Sequence, residues 1–266
     1  MTIASPTDVT VWPANSTLSI TTDLTMSAAL NKIGAGTLAL NNVRGPELDV
    51  TEGVLAITGI GNAGTSRINK LDFPLTRINL IKADLGIVEG KLDLKKTAMV
   101  IDYTAGNSPV NDVRGWLKTG FNNGSWNGVG IQSSSAAAVA ANAFSPIKTG
   151  IGYRESSGNG TFFGQPVDGS SLELQYTLFG DANLDGAVST IDFGMLSSNF
   201  NSANAYWWRG DFNYDGFVNA LDFNAIVSNW GGAIPADLPA TLVPEPAFLS
   251  ALAIPALLTR RRRRTW

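Results

Sequence analysis

The chain writes one acidic, glycine-punctuated sentence twice, 30 residues apart: "GDANLDGAVSTIDFGMLSSNF" from Gly180 and "GDFNYDGFVNALDFNAIVSNW" from Gly210. The copies agree at polar positions with fixed offsets, while most residues between them differ. Counting twelve residues from Asp181, positions 1, 3 and 5 hold Asp181, Asn183 and Asp185. Gly186 is at 6, Ala187 at 7, Ser189 at 9 and Asp192 at 12. The second copy places Asp211, Asn213, Asp215, Gly216, Phe217, Asn219 and Asp222 at the same positions. Alternate side-chain oxygens that converge after a glycine turn, a carbonyl at position 7 and a closing carboxylate at 12 form the pattern of a calcium loop. One copy alone would read equally as an acidic turn capping a helix. Two matched copies point to two calcium ions, with magnesium the poorer fit because it gives up its waters reluctantly.

Two features distinguish the pair from ordinary paired EF-hands. Position 12 is Asp in both, and the segment before Asp181, "LELQYTLFG", reads as a strand, so no helix enters the first loop. A helix-like stretch follows each loop. Phe193, Leu196 and Phe200 match Phe223, Ile226 and Trp230, so each half is expected to bury an apolar stripe against its twin, with Val188 and Val218 pairing between the loops. A duplicated loop and helix with Asp at position 12 resembles the dockerin domain of bacterial extracellular assemblies, over residues 179–232. The resemblance implies a small α module, folded by calcium, that docks on a cohesin-like domain of a scaffold or surface protein. In such domains positions 10 and 11 help read the partner and are often Ser-Thr. Here they are Thr190 and Ile191, then Ala220 and Leu221.

The rest of the chain reads as mainly β. Over residues 1–103 a short unit recurs: "GTLAL" at Gly36, "GVLAI" at Gly53 and "GKLDL" at Gly90. Its period-2 pattern suits rungs of a β-solenoid or strands of a β-sandwich, with 17 and then 37 residues between units. The stretch "KIGAGTLALNN" resembles the passenger-associated strand repeats of autotransporter-like surface proteins. Residues 104–178 continue in β style, "VRGWLKTGF" included, except that "SSSAAAVAANAF" suits a serine-capped helix. Trp116, Phe121, Trp126, Tyr153 and Tyr176 read as packing residues. "GIGNAG" spells the dinucleotide fingerprint at Gly59, Gly61 and Gly64, but Pro74 and the lack of helical spacing after it make it a turn.

Residues 233–242 read as a linker. The final stretch 243–266 carries Pro244, Glu245 and Pro246, a 12-residue apolar run and Arg260, Arg261, Arg262, Arg263 and Arg264. The run is short for a membrane span. This order resembles the PEP-CTERM sorting signal, which implies an exosortase-type processing enzyme at the envelope. Together with the duplicated loops and surface β-repeats it resembles secreted proteins of planctomycete type. The N-terminus shows no signal peptide, so the expectation is an exported protein whose start lies upstream.

Composition removes several chemistries. The chain has no cysteine and no histidine, which excludes thiolate metal sites, imidazole acid–base catalysis and Ser-His-Asp triads. Without the five terminal arginines, 14 basic residues face 22 acidic ones, which disfavours nucleic acid as a partner. Glycoside hydrolysis needs two carboxylates across one cleft. Asp84, Glu89, Asp93, Asp102, Asp112, Glu155 and Glu173 are available, yet no spacing singles out a pair. The reading is a non-catalytic, extracellular or cell-envelope calcium-binding coupler. The alternative is a component or C-terminal fragment of a polysaccharide-degrading enzyme, which would add a polysaccharide to the partners.

Overall fold

The three Gly-x-Leu units lie side by side. The computed structural model describes residues 1–59, 65–73 and 90–234. Within these, β6 (Thr37–Leu40), β8 (Val54–Ile57) and β10 (Lys91–Asp93) are neighbouring parallel strands in a five-stranded sheet, flanked by β3 (Thr17–Ile20) and β12 (Gly130–Gln132). Their register aligns Leu18, Leu38, Leu55, Leu92 and Ile131 in one row. The leading glycines stack as well: Val54 N donates to Gly36 O, Lys91 N to Gly53 O and Gly130 N to Gly90 O. The fourth unit, Gly130-Ile131-Gln132, escapes the sequence pattern because it is cut to three residues before a helix begins.

A second sheet faces the first. It contains β1 (Thr2–Ile3), β2 (Thr7–Thr10), β4 (Leu24–Met26), β5 (Leu30–Ile33), β7 (Val43–Val50), β9 (Ser66–Asp72) and β11 (Ala98–Asp102), all paired in parallel. The chain returns to the five-stranded sheet after every one or two of these strands. Leu30, Leu48 and Leu71 share a row on this side, and both rows belong to one buried cluster. Parallel pairing between rungs holds because apolar residues recur at the same step of each rung. Two antiparallel strands extend the large sheet past β11, first β16 (Ser171–Leu178) and then β13 (Thr149–Glu155) at its edge. A hairpin of β14 (Gly160–Phe162) and β15 (Gln165–Val167) packs Phe162 and Val167 on Ala98 and Val100 of the outer face.

One segment departs from the β reading. Residues Val110–Phe121, which include "VRGWLKTGF", form helix α1. Val110, Val113, Leu117 and Gly120 are its buried residues, a helical spacing that the aromatic and β-branched residues disguised. Asn122 ends the helix in the left-handed conformation. Helix α2, Ser134–Ala141, forms as expected, with the Ser133 hydroxyl accepting from Ala136 N at 3.0 Å. Two further helices, α3 (Thr190–Ser198) and α4 (Ala220–Asn229), follow the repeated loops. Trp126, Tyr153 and Tyr176 are buried, and Trp116 and Phe121 pack against the same core.

Met1–Ile234 form one compact unit, so the segments read as 1–103, 104–178 and 179–232 share a core. Gly61, Gly64, Pro74, Asp84, Glu89, residues 235–242 and the whole tail 243–266 lie outside the described residues.

The stacked leucines differ in burial along the row, with Leu55 fully buried and Leu18 45% exposed on the first rung. Leu55→Ala is expected to cost about 2–5 kcal/mol, and Leu18→Ala less than about 1 kcal/mol. Urea unfolding of the two variants checks this; equal losses would show that the row is not the core.

Candidate metal centre and docking face

Each loop closes on its own backbone. In the first, Asp181 Oδ1 accepts from Asp185 N at 3.1 Å, and Oδ2 accepts from Gly186 N at 2.9 Å and from the Thr177 hydroxyl. In the second, Asp211 Oδ2 accepts from Gly216 N at 2.9 Å. Position 5 turns the chain in the same way: Asp185 Oδ1 accepts from Ala187 N at 2.9 Å and Asp215 Oδ1 from Phe217 N at 2.8 Å. The turn requires left-handed backbone at positions 4 and 6. Gly186 and Gly216 supply it at 6, while Leu184 and Tyr214 adopt φ of 59° and 60° at 4.

The closing aspartates join loop to helix. Asp192 Oδ1 reaches back to Ala182 N (2.9 Å) and Asn183 N (3.2 Å), while Oδ2 accepts from Ser189 N (2.8 Å) and the Ser189 hydroxyl (3.0 Å). Asp222 Oδ1 accepts from Phe212 N at 2.8 Å and Oδ2 from Asn219 N at 2.9 Å. Ser189 and Asn219 are therefore helix N-caps, each in a capping box with the aspartate three residues on. An Asp at position 12 suffices because it also has to serve as the third residue of its helix.

Burial sets the electrostatics. Asp181, Asp192, Asp211 and Asp222 are at most 1% exposed. Burial pushes the Asp181 carboxyl up to about 6, against the pull of Thr177 and Gly186. Burial, reinforced by the charge of Asp222, lifts Asp211 to about 7, and burial raises Asp222 as well. Asp211 Oδ1 is buried without a hydrogen-bond partner. A carboxylate oxygen in that position fits a cation, because the charged form needs a counter-charge that burial has taken from water.

The donor set is hard and oxygen-rich, as calcium requires, yet carboxylates alone do not complete it. Among the described residues no three or more Asp or Glu side chains gather into a ready cluster. Instead Asn183 Nδ2 donates to Asp185 Oδ2 (2.8 Å) and Asn213 Nδ2 to Asp215 Oδ2 (3.0 Å), while their Oδ1 atoms accept from Asp185 N (3.0 Å) and Asp215 N (2.9 Å). The residues that would hold the ions are Asp181, Asn183, Asp185, Asp192 and the carbonyl of Ala187, with Ser189 at position 9. Their counterparts are Asp211, Asn213, Asp215, Asp222, the carbonyl of Phe217 and Asn219. A bound ion would neutralise each buried group and fix the turn.

The halves pack as a pseudo-symmetric pair, though not through the stripes expected. Only Leu196 and Ile226 of the proposed stripes are buried. Gly180, before the first loop, lies against Ile226 of α4, where a Cβ would stand 3.0 Å from the Ile226 Cα. Gly210 lies against Leu196 of α3, where the corresponding distance is 2.9 Å. Each leading glycine thus lets the opposite helix approach. Val188 and Val218 are buried, but their backbones bond elsewhere: Val188 with Gly231 and Gly232, Val218 with Asn201 and Ser202. Phe193, Phe200, Phe223 and Trp230 are 40–53% exposed.

Sequence reasoning missed the residues that make this contact. Tyr214 lies in the aromatic cluster with Phe121, Trp126 and Trp207. Trp207 Nε1 donates to the carbonyl of Asp181 at 2.6 Å. Arg154 of β13 donates to the carbonyl of Asn183 at 2.6 Å and pairs with Glu173 at the same distance. Arg114 of α1 donates to the carbonyl of Ala205 at 3.0 Å and lies over the Tyr206 ring. The repeated apolar residue at position 4, flanked by polar ligand positions, was the available signal.

The opposite side is open. Of twelve large hydrophobic residues exposed among the described ones, eight fall between Ile191 and Trp230. Ile191 and Leu221 are 58% and 63% exposed, Thr190 and Ala220 are exposed beside them, and the Phe193 and Phe223 rings meet edge to face at 6.3 Å. Contiguous exposed apolar surface of this kind marks an interaction site.

Because the buried carboxyls have raised pKa values, the ion-free protein is most stable where they are protonated in both states, and it loses that stability as pH rises through 6 to 7. A bound cation competes with those protons. In EDTA, Tm is expected to fall between pH 5 and pH 8; the rise in Tm produced by calcium should grow over the same interval. Asp181→Asn with Asp211→Asn should flatten both slopes, and an unchanged slope in that double variant would rule out these carboxyls as its source.

No curated protein and no solved structure matches the chain. Residues 179–229 match the family model of the dockerin type I domain, and the loops, capping boxes and paired helices described above are that domain.

Proposed function

We propose that the protein is a non-catalytic, calcium-dependent coupler. Dockerin domains bind cohesin domains in a calcium-dependent manner. Here two ions would fill the loops 181–192 and 211–222, and α3 and α4 would present their exposed face to a cohesin-like domain of a scaffold or surface protein. The observation that carries this reading is that face itself: Ile191, Phe193, Leu221 and Phe223, related by the pseudo-symmetry and open to solvent. With Thr190–Ile191 and Ala220–Leu221 at positions where a Ser-Thr pair is common, the face suits a more apolar partner surface.

The body that carries the coupler reads as a β-solenoid, supported by in-register parallel rungs shared between two sheets. Its role would be that of a spacer or adhesive stalk of the autotransporter-repeat kind. What supports the non-catalytic reading is that several candidate carboxylates already have structural work. Asp93 holds Ser134 N and Lys95 N, Asp102 pairs with Arg67, Glu155 accepts from Tyr103 and Ser108, and Glu173 pairs with Arg154. The tail supports an exported, envelope-sorted protein of planctomycete type, processed by an exosortase-type enzyme. Among the described residues no helix is long and apolar enough to cross a membrane.

Capture from envelope extract, with mass spectrometry of what is retained, tests the coupler. A cohesin-domain protein should be held with calcium and released by EDTA. Ile191→Asp with Leu221→Asp should weaken that binding about tenfold or more while calorimetry still counts two calcium ions. Retention of the same protein by the double variant would remove this face from the interface.

A further inference from the structure

Among the described residues, strand β13 ends the large sheet and pairs on one side only, with β16. An open edge exposes unpaired backbone groups and invites pairing with another chain. Here a side chain of the dockerin domain closes it. Ile151 N donates to the Tyr214 hydroxyl at 3.2 Å, and that hydroxyl donates to Ile151 O at 2.9 Å. One phenol thus satisfies both outward backbone groups of a strand residue, as a neighbouring strand would.

Asn229 has a different place, between the two strands just before their ladder begins, where Phe179 N donates to Lys148 O. Its Oδ1 accepts from Lys148 N at 2.9 Å, while Nδ2 donates to Lys148 O at 2.9 Å and to Phe179 O at 2.7 Å. Tyr214 and Asn229 are both buried. The strand is shaped to receive the phenol, since Gly150 and Gly152 flank Ile151 without side chains. A Cβ at Gly152 would stand 2.4 Å from Leu184 Cδ2 and 2.7 Å from Trp207 Nε1, and one at Gly150 would stand 3.2 Å from the Tyr214 hydroxyl. The position-4 residues of both loops therefore occupy the space these glycines leave.

The placement of both residues comes from the second loop. Tyr214 stands between Asn213 and Asp215 with φ of 60°, a conformation the loop's turn imposes. Asn229 ends the helix that the Asn219–Asp222 capping box begins. We propose that the dockerin domain has a second function, as the calcium-set cap of the β-body: the ion in loop 211–222 holds Tyr214 on the free edge of β13, and its removal uncovers that edge. The ion's part rests on the calcium reading above; the cap itself does not.

Amide exchange at Ile151, read by NMR on the full chain, tests the proposal beside a calcium titration. With calcium the Ile151 amide should be protected, and in EDTA it should exchange at least about tenfold faster. Tyr214→Phe keeps the ring in its aromatic cluster but lacks the hydroxyl. It should release Ile151 with calcium present, leaving two-ion binding and docking by Ile191 and Leu221 intact. Equal Ile151 exchange in wild type and Tyr214→Phe would overturn the cap. Equal exchange with calcium and EDTA, in protein shown by titration to take up the ion, would overturn the ion's control of it. Failure to take up calcium at all would overturn the metal reading and with it that control, while the variant still decides the cap.

Discussion

Four buried carboxylates organise the C-terminal part of this molecule. Asp181 and Asp211 draw the backbone of each loop around themselves, while Asp192 and Asp222 bind the first turn of each loop to the start of its helix. A carboxylate buried in this way is tolerable only when its lone pairs are met by donors or a cation. The backbone N–H groups meet most of them, and the buried Asp211 Oδ1, which has no hydrogen-bond partner, has the character that suits a cation. The direction of α3 and α4, the outward face of Ile191 and Leu221 and the inward reach of Tyr214 all follow from loops closed in this manner.

The dockerin domain consequently has two working faces. One carries Leu184, Tyr214, Trp207 and Asn229 and is spent on the β-body; the other carries the exposed apolar residues of both helices. A domain tethered by a free linker could offer either half of its pseudo-symmetric pair to a partner in any orientation. This one is held to a sheet by hydrogen bonds that involve Arg154, Tyr214 and Asn229, so its exposed helix face has a fixed direction relative to the strands.

The rung architecture shows why short repeats support a large body. Each Gly-x-Leu unit buries little by itself, but in-register stacking places Leu38, Leu55, Leu92 and Ile131 in continuous contact with the opposite sheet. Removing a fully buried leucine from water is worth roughly 1.5–3 kcal/mol, and each further rung repeats the gain. The price is an edge at the end of the sheet, and here the edge is closed by a side chain of the dockerin domain.

Local chemistry was legible in the sequence: the duplicated acidic loops, the glycine turns, the helix after each loop, the serine-capped helix at 134–141 and the stacking glycine–leucine units. Each depends on residues close in the chain, where spacing alone dictates geometry. Helix α1 was hidden because its buried face, Val110, Val113 and Leu117, is interleaved with residues that favour strands. The burial of Phe193 and Phe223 was misassigned because an apolar residue on a helix states a preference for cover without naming what provides it. Only the tertiary structure decided that β13 lies against the second loop, that Gly150 and Gly152 make room for Tyr214 and Leu184, and that the Phe193 and Phe223 rings face solvent. The contact of β13 with the second loop joins Ile151 to Tyr214, 63 positions apart, and the pattern within either segment carries no record of the other.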